Sequence, residues 1–354
     1  MLIFKPNHNN SLPREGVTDL GTAEKLGERK IIETICKHLN KAPNMPVSFG
    51  DDVSTIRYND NNLAVLKTDM LVGKTDVPPQ MTYWQAARKA VVMNISDFAA
   101  KGVKPLGLLV SLGIPRNLTK KDITQIGKGL NAGAREYDTY VLGGDTSETQ
   151  DLIISIAAFG LTKKENLILR NGAHPGDIVA TTGLFGLTSL GLKILTAKLT
   201  APPKIRKKLV DAVLMPHARL KEGLALAKTG ATTASIDSSD GLAWSLYEIS
   251  RASNIGFVID TPPIAQETCE FAKIHNLNPL EISLYGGEEY ELVVTIKPRH
   301  WRRVREAVVQ EGGNLVKIGK TTSKKALLLK QKGKMVKIEA RGYEHFKHEG
   351  KRLG

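Results

Sequence analysis

Six short stretches of this 354-residue chain gather carboxylates, hydroxyls and glycines, residue types suited to a hard cation and to phosphate. The first two, Gly50-Asp51-Asp52 and Thr68-Asp69, fall between Phe49 and Asp76. Leu63 to Leu66 reads as a buried strand after an Asn-Asp turn cluster, which puts Thr68 and Asp69 at or just past its end. Facing an Asp pair from the preceding loop, they would form an all-oxygen set fit for Mg2+. The competing reading makes each Asp a loop cap or turn former.

Further along, Asn94 and Asp97 lie three apart inside an apolar helical stripe, so they share a face. Polar groups there need a partner, and they face either a pocket or a neighbouring loop. Gly143-Gly144-Asp145 follows a short strand, Tyr140 to Leu142, where glycines let amides approach a phosphate while the Asp holds a metal. Asp237, Ser239, Asp240 and Gly241 open a helix, either as a ligand site at its N-terminal amides or as an ordinary cap. Gly286-Gly287-Glu288 precedes the strand Leu292 to Ile296.

Two stretches imitate nucleotide motifs. Gly73-Lys74-Thr75 lacks the earlier glycine of a P-loop and runs into Pro78 and Pro79 instead of a helix. The glycines at 127, 129 and 133 sit in a helical pattern with one residue too many for a dinucleotide fingerprint.

The elements that must carry these residues are read from periodicity. Helices are expected over Lys25 to Leu39, from Thr82 to near Gly102, over Lys120 to Tyr137 and over about 203–214 and 217–229. The chain length predicts two domains, and 41% hydrophobic with 24% charged residues is the composition of a soluble globular protein. No apolar run is long enough to span a bilayer and no secretory leader is evident, so a cytoplasmic location without membrane contact is expected. The net charge of +14 is spread over helix faces and the stretch from Lys320 to Arg352, without a nucleic-acid-binding motif, so nucleic acid is not expected as the main ligand. Cys36 and Cys269 predict buried free thiols.

The six stretches, with Asn94 to Ala100 as the third and Asp237 to Leu242 as the fifth, resemble the ordered motif series of thiamine-monophosphate kinases from about residue 20 to 346. The wider superfamily includes aminoimidazole ribonucleotide synthetase, selenophosphate synthetase and the hydrogenase-maturation carbamoyl dehydratase. Neither the reactive N-terminal Cys of the second nor the Cys tail of the third is present.

The resemblance implies an α/β (α+β) synthetase-like fold of two domains. A mixed N-terminal domain over 21–165 would pair into the β-barrel core of a homodimer, and a C-terminal α/β domain would span 166–346. A flexible extension over 1–20 and a basic tail over 347–354 flank them. It implies transfer of the γ-phosphoryl group of ATP to thiamine monophosphate. Asp52, Thr68, Asp69, Asp97, Asp145 and Asp237 would hold several Mg2+ ions, and Asp240 a further one. Gly144, Asp145, Arg170 and Ser239 would meet ATP, and Asp76 and Glu288 the thiamine substrate, with no catalytic base. Three positions depart from the family pattern near the thiamine end: Asp76 for His, Glu289 for Asp, and Ala340 for an aromatic. They bear on the acceptor and leave open a superfamily relative that acts on another acceptor as an ATP-dependent synthetase; a non-catalytic nucleotide-binding protein is the alternative outside enzymes.

Overall fold

The computed structural model describes residues 21–346 except 41, 44, 48 and 198. The extension and the tail expected at the two ends lie outside the described residues. In chain order the elements are α1 (Ala23–Cys36), β1 (Ser54–Arg57), β2 (Asn62–Val72), α2 (Gly73–Asp76), α3 (Tyr83–Lys101), β3 (Pro105–Ile114), α4 (Lys120–Glu136), β4 (Val141–Glu148) and β5 (Ile153–Lys163). There follow β6 (Ile178–Thr181), α5 (Leu187–Ala197), α6 (Pro203–Leu214), α7 (Leu220–Thr229), β7 (Thr232–Asp237), α8 (Leu242–Ser253) and β8 (Gly256–Ile259). The last are α9 (Gln266–Ile274), α10 (Pro279–Tyr285), β9 (Leu292–Ile296), α11 (Trp301–Gln310), β10 (Val316–Thr322), β11 (Leu327–Gln331) and β12 (Lys334–Lys337).

Two mixed sheets result. One has the order β1-β2-β5-β3-β4, antiparallel except between β3 and β4; it is open, with β1 and β4 at its edges. The other runs β12-β11-β8-β10-β6-β9-β7, antiparallel except between β8 and β11. Both belong to one compact body, residues 42–343. A separate small unit contains α1 and residues 344–346; in it the His345 amide donates to Glu28 at 3.3 Å.

Helix α3 joins the two sheets. Thr82 and Gln85 form a capping box at its start, and Gly102 ends it at φ 65, where a Cβ would be strained. From Ala86 to Lys101 every residue but Met93 is buried, because the helix packs on β2 and β5, on α4, and on α7 and β7. Val91, Ile95, Phe98, Leu108, Ile154 and Ile156 fill the core here, each burial contributing about 1.5–3 kcal/mol. A helix buried all round must also bury its charges, and Arg88, Lys89 and Lys101 do so with partners.

Gly129 and Gly133 of α4 have a packing role, whereas Gly127 faces open space. A Cβ on Gly129 would lie 2.2 Å from the Trp84 carbonyl oxygen, so their absence lets α4 lie against α3.

Three expectations are corrected. Strand β2 continues to Val72, so Thr68 and Asp69 lie within it and point to opposite faces. Gly143-Gly144-Asp145 lies inside β4, not in a loop after a strand. Cys36 is half-buried and Cys269 exposed, both free. Among the described residues no helix is long and apolar enough to cross a membrane.

Candidate active site

Three carboxylates converge from distant parts of the chain. Asp52 comes from the loop before β1, where Gly50 at φ 107 makes the turn; Asp97 comes from α3; Asp237 is the last residue of β7. One oxygen of each lies within 4.8 Å of the others, and all three residues are buried. Among the described residues no other group of three or more His, Cys, Asp or Glu is close enough to share an ion. Oxygen-only donors at this spacing fit a hard cation such as Mg2+.

Cationic side chains surround the three. Lys101 reaches Asp51 at 2.7 Å and Asp52 at 2.8 Å, and donates to the Ser235 carbonyl at 2.8 Å. Arg170 donates from Nε to Asp52 at 2.8 Å, pairs with it again through Nη2, and lies 3.6 Å from Glu248. Lys67 lies 2.8 Å from Asp97 and 3.2 Å from Asp69. Ser96 donates to Asp237 at 2.7 Å.

These neighbours set the acidities apart. Burial alone would raise Asp52, but Lys101 and Arg170 outweigh it and hold the carboxyl at about 2. Burial lifts Asp97 well above the usual range against the pull of Lys67, with Asp237, Asp69 and Asp52 adding to the rise. Asp237 is pushed up to about 6 by burial and then by Asp52, against the Ser96 hydrogen bond. Two buried carboxyls that resist ionisation beside a third that is ionised mark a place where a divalent cation would relieve repulsion.

The remaining expected metal residues separate. Asp69 shares the helix-facing side of its sheet with Ile156, Val110 and Gly144, and its amide donates to Asn94 at 3.1 Å. That bond answers the question posed by Asn94: it secures a strand. Thr68 lines a cleft of about 360 Å³ with Asp51, Asp52, Ser54, Lys67 and Ala157. Asp145 shares an exposed row with Ser111, Ser155 and Met70 on the opposite side of the sheet, so within one chain it does not join the three. Asp240 lies in the turn before α8, where its carbonyl accepts from the Tyr343 amide at 3.0 Å. Ser239 is exposed and its carbonyl accepts from the Glu288 amide at 2.6 Å.

The two expected thiamine residues meet through Lys89. Its buried ammonium donates to Glu288 at 2.5 Å and to the Asp76 carbonyl at 3.0 Å. The Asp76 carboxylate is occupied locally, accepting from the Val72 amide at 2.7 Å. Glu288 and Tyr290 hold φ of 63 and 53, left-handed values that cost a non-glycine residue about 1 kcal/mol or more each. Tyr290 is buried, and its phenol is pushed far up by burial, then by Glu288, Asp237, Asp69 and Asp76.

Lys67, Lys89, Lys101 and Glu248 have no role in the sequence reading, and Ser96 enters it only as a member of the third stretch. The available signal was α3 itself, whose apolar positions extend round the helix and leave its charges no solvent face. Lys67 interrupts an apolar strand and reads as a solvated position unless the carboxylates beside it are known.

Models of AIR synthase related proteins match residues 50–162 with their N-terminal domain and 174–330 with their C-terminal domain. The thiamine-monophosphate kinase of Pyrococcus horikoshii is 38% identical over 302 residues, covering 85% of this chain and 91% of that one. The thiamine-monophosphate kinase of Nitrosopumilus maritimus is 34% identical over 323 residues, covering 91% and 99%. The solved structure of AaThiL complexed with AMPPCP and TMP has a TM-score of 0.81 at 26% identity, over 93% of this chain and 100% of that one.

Proposed function

From the premise that the chain belongs to the thiamine-monophosphate kinase family of AIR synthase related proteins, we propose that it transfers the γ-phosphoryl group of ATP to thiamine monophosphate, giving ADP and thiamine diphosphate. The observation that carries this reading is the buried set of Asp52, Asp97 and Asp237 framed by Lys67, Lys101 and Arg170. Two polyanions meet only where positive charge balances them. When bound there, Mg2+ would neutralise phosphate oxygens of both reactants.

Asp52, Asp97 and Asp237 would hold the ion, with Asp69 behind Lys67 and the Thr68 hydroxyl at the cleft. Arg170 would exchange part of its contact with Asp52 for a phosphate oxygen, as its forked donors allow. Gly144 and Ser239 would meet the nucleotide and Asp240 a further ion. Glu288, held by Lys89, and the Asp76 segment would face the cationic thiazolium ring. No general base is assigned, because a phosphate monoester with a second pKa near about 6 already carries the attacking charge at neutral pH. The chain's part is in-line positioning and exclusion of water.

Asp145 enters this scheme through a second copy of the chain. Leu66, Met70, Leu106, Leu109, Leu142 and Phe159 leave an exposed apolar face on its side of the five-stranded sheet, which supports a homodimer paired through that sheet.

Product chromatography with ATP, Mg2+ or Mn2+, and a panel of phosphate acceptors tests the function. Formation of thiamine diphosphate only with the metal is the expected result. Turnover of formylglycinamidine ribonucleotide in its place would assign the chain to a synthetase activity, and nucleotide binding without any turnover would make it a binding protein.

A further inference from the structure

Lys67 stands inside the carboxylate cluster with its stem on β2 and its ammonium against α3. It lies 2.8 Å from Asp97 Oδ2 and 3.2 Å from Asp69 Oδ1, its side chain is 19% exposed, and the residue is among those lining the cleft. One of the three carboxylates able to share an ion is therefore already paired with a cation of the chain. Mg2+ binds oxygen at about 2.0–2.1 Å, so an ion on the oxygen that faces Lys67 would come within about 5 Å of the ammonium. Two positive centres at that distance repel strongly in a buried site.

Asp52 and Asp51 have Lys101, and Asp52 also has Arg170, whereas Asp237 has the Ser96 hydroxyl. Lys67 is thus the cation that balances the Asp97 side of the cluster. Its flexible four-carbon stem and partial exposure leave the ammonium free to swing away from Asp97.

We propose that Lys67 is the resident cation of the metal-free site: it ties β2 to α3, competes with Mg2+ for Asp97, and moves into the cleft as counter-charge for the polyphosphate when the metal enters. The inference rests on the reading of the cluster as a Mg2+ site. It adds a positioning residue that also tunes metal affinity, so the site stays assembled between turnovers and takes up Mg2+ most readily together with an anionic nucleotide that receives the displaced ammonium.

Calorimetric titration of the full chain with Mg2+ alone, without nucleotide, compares the native protein with Lys67→Met, which keeps the stem and removes the charge. Lys67→Met should bind Mg2+ at least tenfold more tightly, melt lower without metal, and gain more in melting temperature from Mg2+ than the native protein does. Its KM for ATP should rise. Equal or weaker Mg2+ binding by Lys67→Met, with binding to the native chain measurable, overturns the role of Lys67 and leaves the metal reading standing. Absence of Mg2+ binding by both proteins, with and without ATP, overturns the metal reading as well. Should Lys67→Met not fold, Lys67→Arg keeps the charge, and its Mg2+ affinity should stay at or below the native value; a tenfold gain there refutes the competition.

Discussion

Lys89 and Glu288, 199 positions apart in the chain, meet at 2.5 Å. The lysine is 1% exposed and the glutamate 37%, and that asymmetry decides what each mutation costs. Glu288→Ala leaves a buried ammonium with only the Asp76 carbonyl, and should destabilise the fold by about 2–4 kcal/mol. Lys89→Met leaves a carboxylate that water can reach, and should cost about 1–2 kcal/mol. Both should raise KM for thiamine monophosphate more than KM for ATP. Denaturant melts that rank the two in the opposite order would show that the ammonium has another partner.

Asp97→Asn separates catalysis from stability. Burial and three neighbouring carboxyls disfavour the charge of Asp97 more than Lys67 favours it, so the metal-free variant should melt no lower than the native chain. The amide oxygen still accepts from Lys67. Turnover should fall by about 10²–10³-fold. A loss of more than about 3 °C without metal, on the order of 1 kcal/mol, would make Asp97 a structural residue.

Glu289 makes stability depend on pH. Its carboxyl accepts from the Gly186 amide at 2.6 Å, and burial raises it to about 7 from 4.5, against hydrogen bonds from Thr188 and Gly186 and with Glu291 adding to the rise. A pKa raised on folding gives stability that is fully present below the unfolded value and is lost as pH rises through the folded one. Glu289→Gln should therefore match the native chain near pH 4 and exceed it by up to about 3 kcal/mol near pH 8. Melting curves across that range that run parallel would show that the carboxyl ionises freely.

Leu109 is 55% exposed at the centre of the apolar sheet face, so Leu109→Glu tests the proposed pairing of two copies. Light scattering should give twice the 38.6 kDa chain mass for the native protein and a single chain mass for the variant. A native monomer at micromolar concentration would remove the homodimer and with it the route by which Asp145 reaches the site.

Gly129→Val tests the contact between α3 and α4. Its side chain must displace the Trp84 carbonyl, so a loss of about 1–3 kcal/mol or more is expected. A variant as stable as the native chain would mean that the helices can separate at no cost.

The readable parts of the site are those where local chemistry and final position agree. Thr82 and Gly102 mark the ends of α3 because a cap is a local hydrogen-bonding event, and Asp97 falls on a face with Asn94 because helical spacing is fixed. The extent of β2 was hidden because Lys67, Thr68 and Asp69 break its apolar run, and only the pairing with β5 keeps them in a strand. The buried lysines were hidden for a related reason: an ammonium reads as solvated until a distant carboxylate is known to meet it. Asp145 gives the opposite error, since Gly143-Gly144 reads as a loop while the backbone groups of β3 extend it as a strand.

The partners of α3 also set a schedule for synthesis. Lys101 waits for Ser235, 134 positions later, Ser96 for Asp237, 141 later, and Lys89 for Glu288, 199 later. At translation rates of about 5–20 residues per second, the nascent first half holds an unfinished core for on the order of ten seconds. During that interval Lys89 has no carboxylate to meet, while Lys101 has Asp51 and Asp52 but lacks the Ser235 carbonyl. Until the second half arrives the α3 face that meets α7 and β7 stays uncovered, and slower elongation past residue 102 would lengthen the exposure.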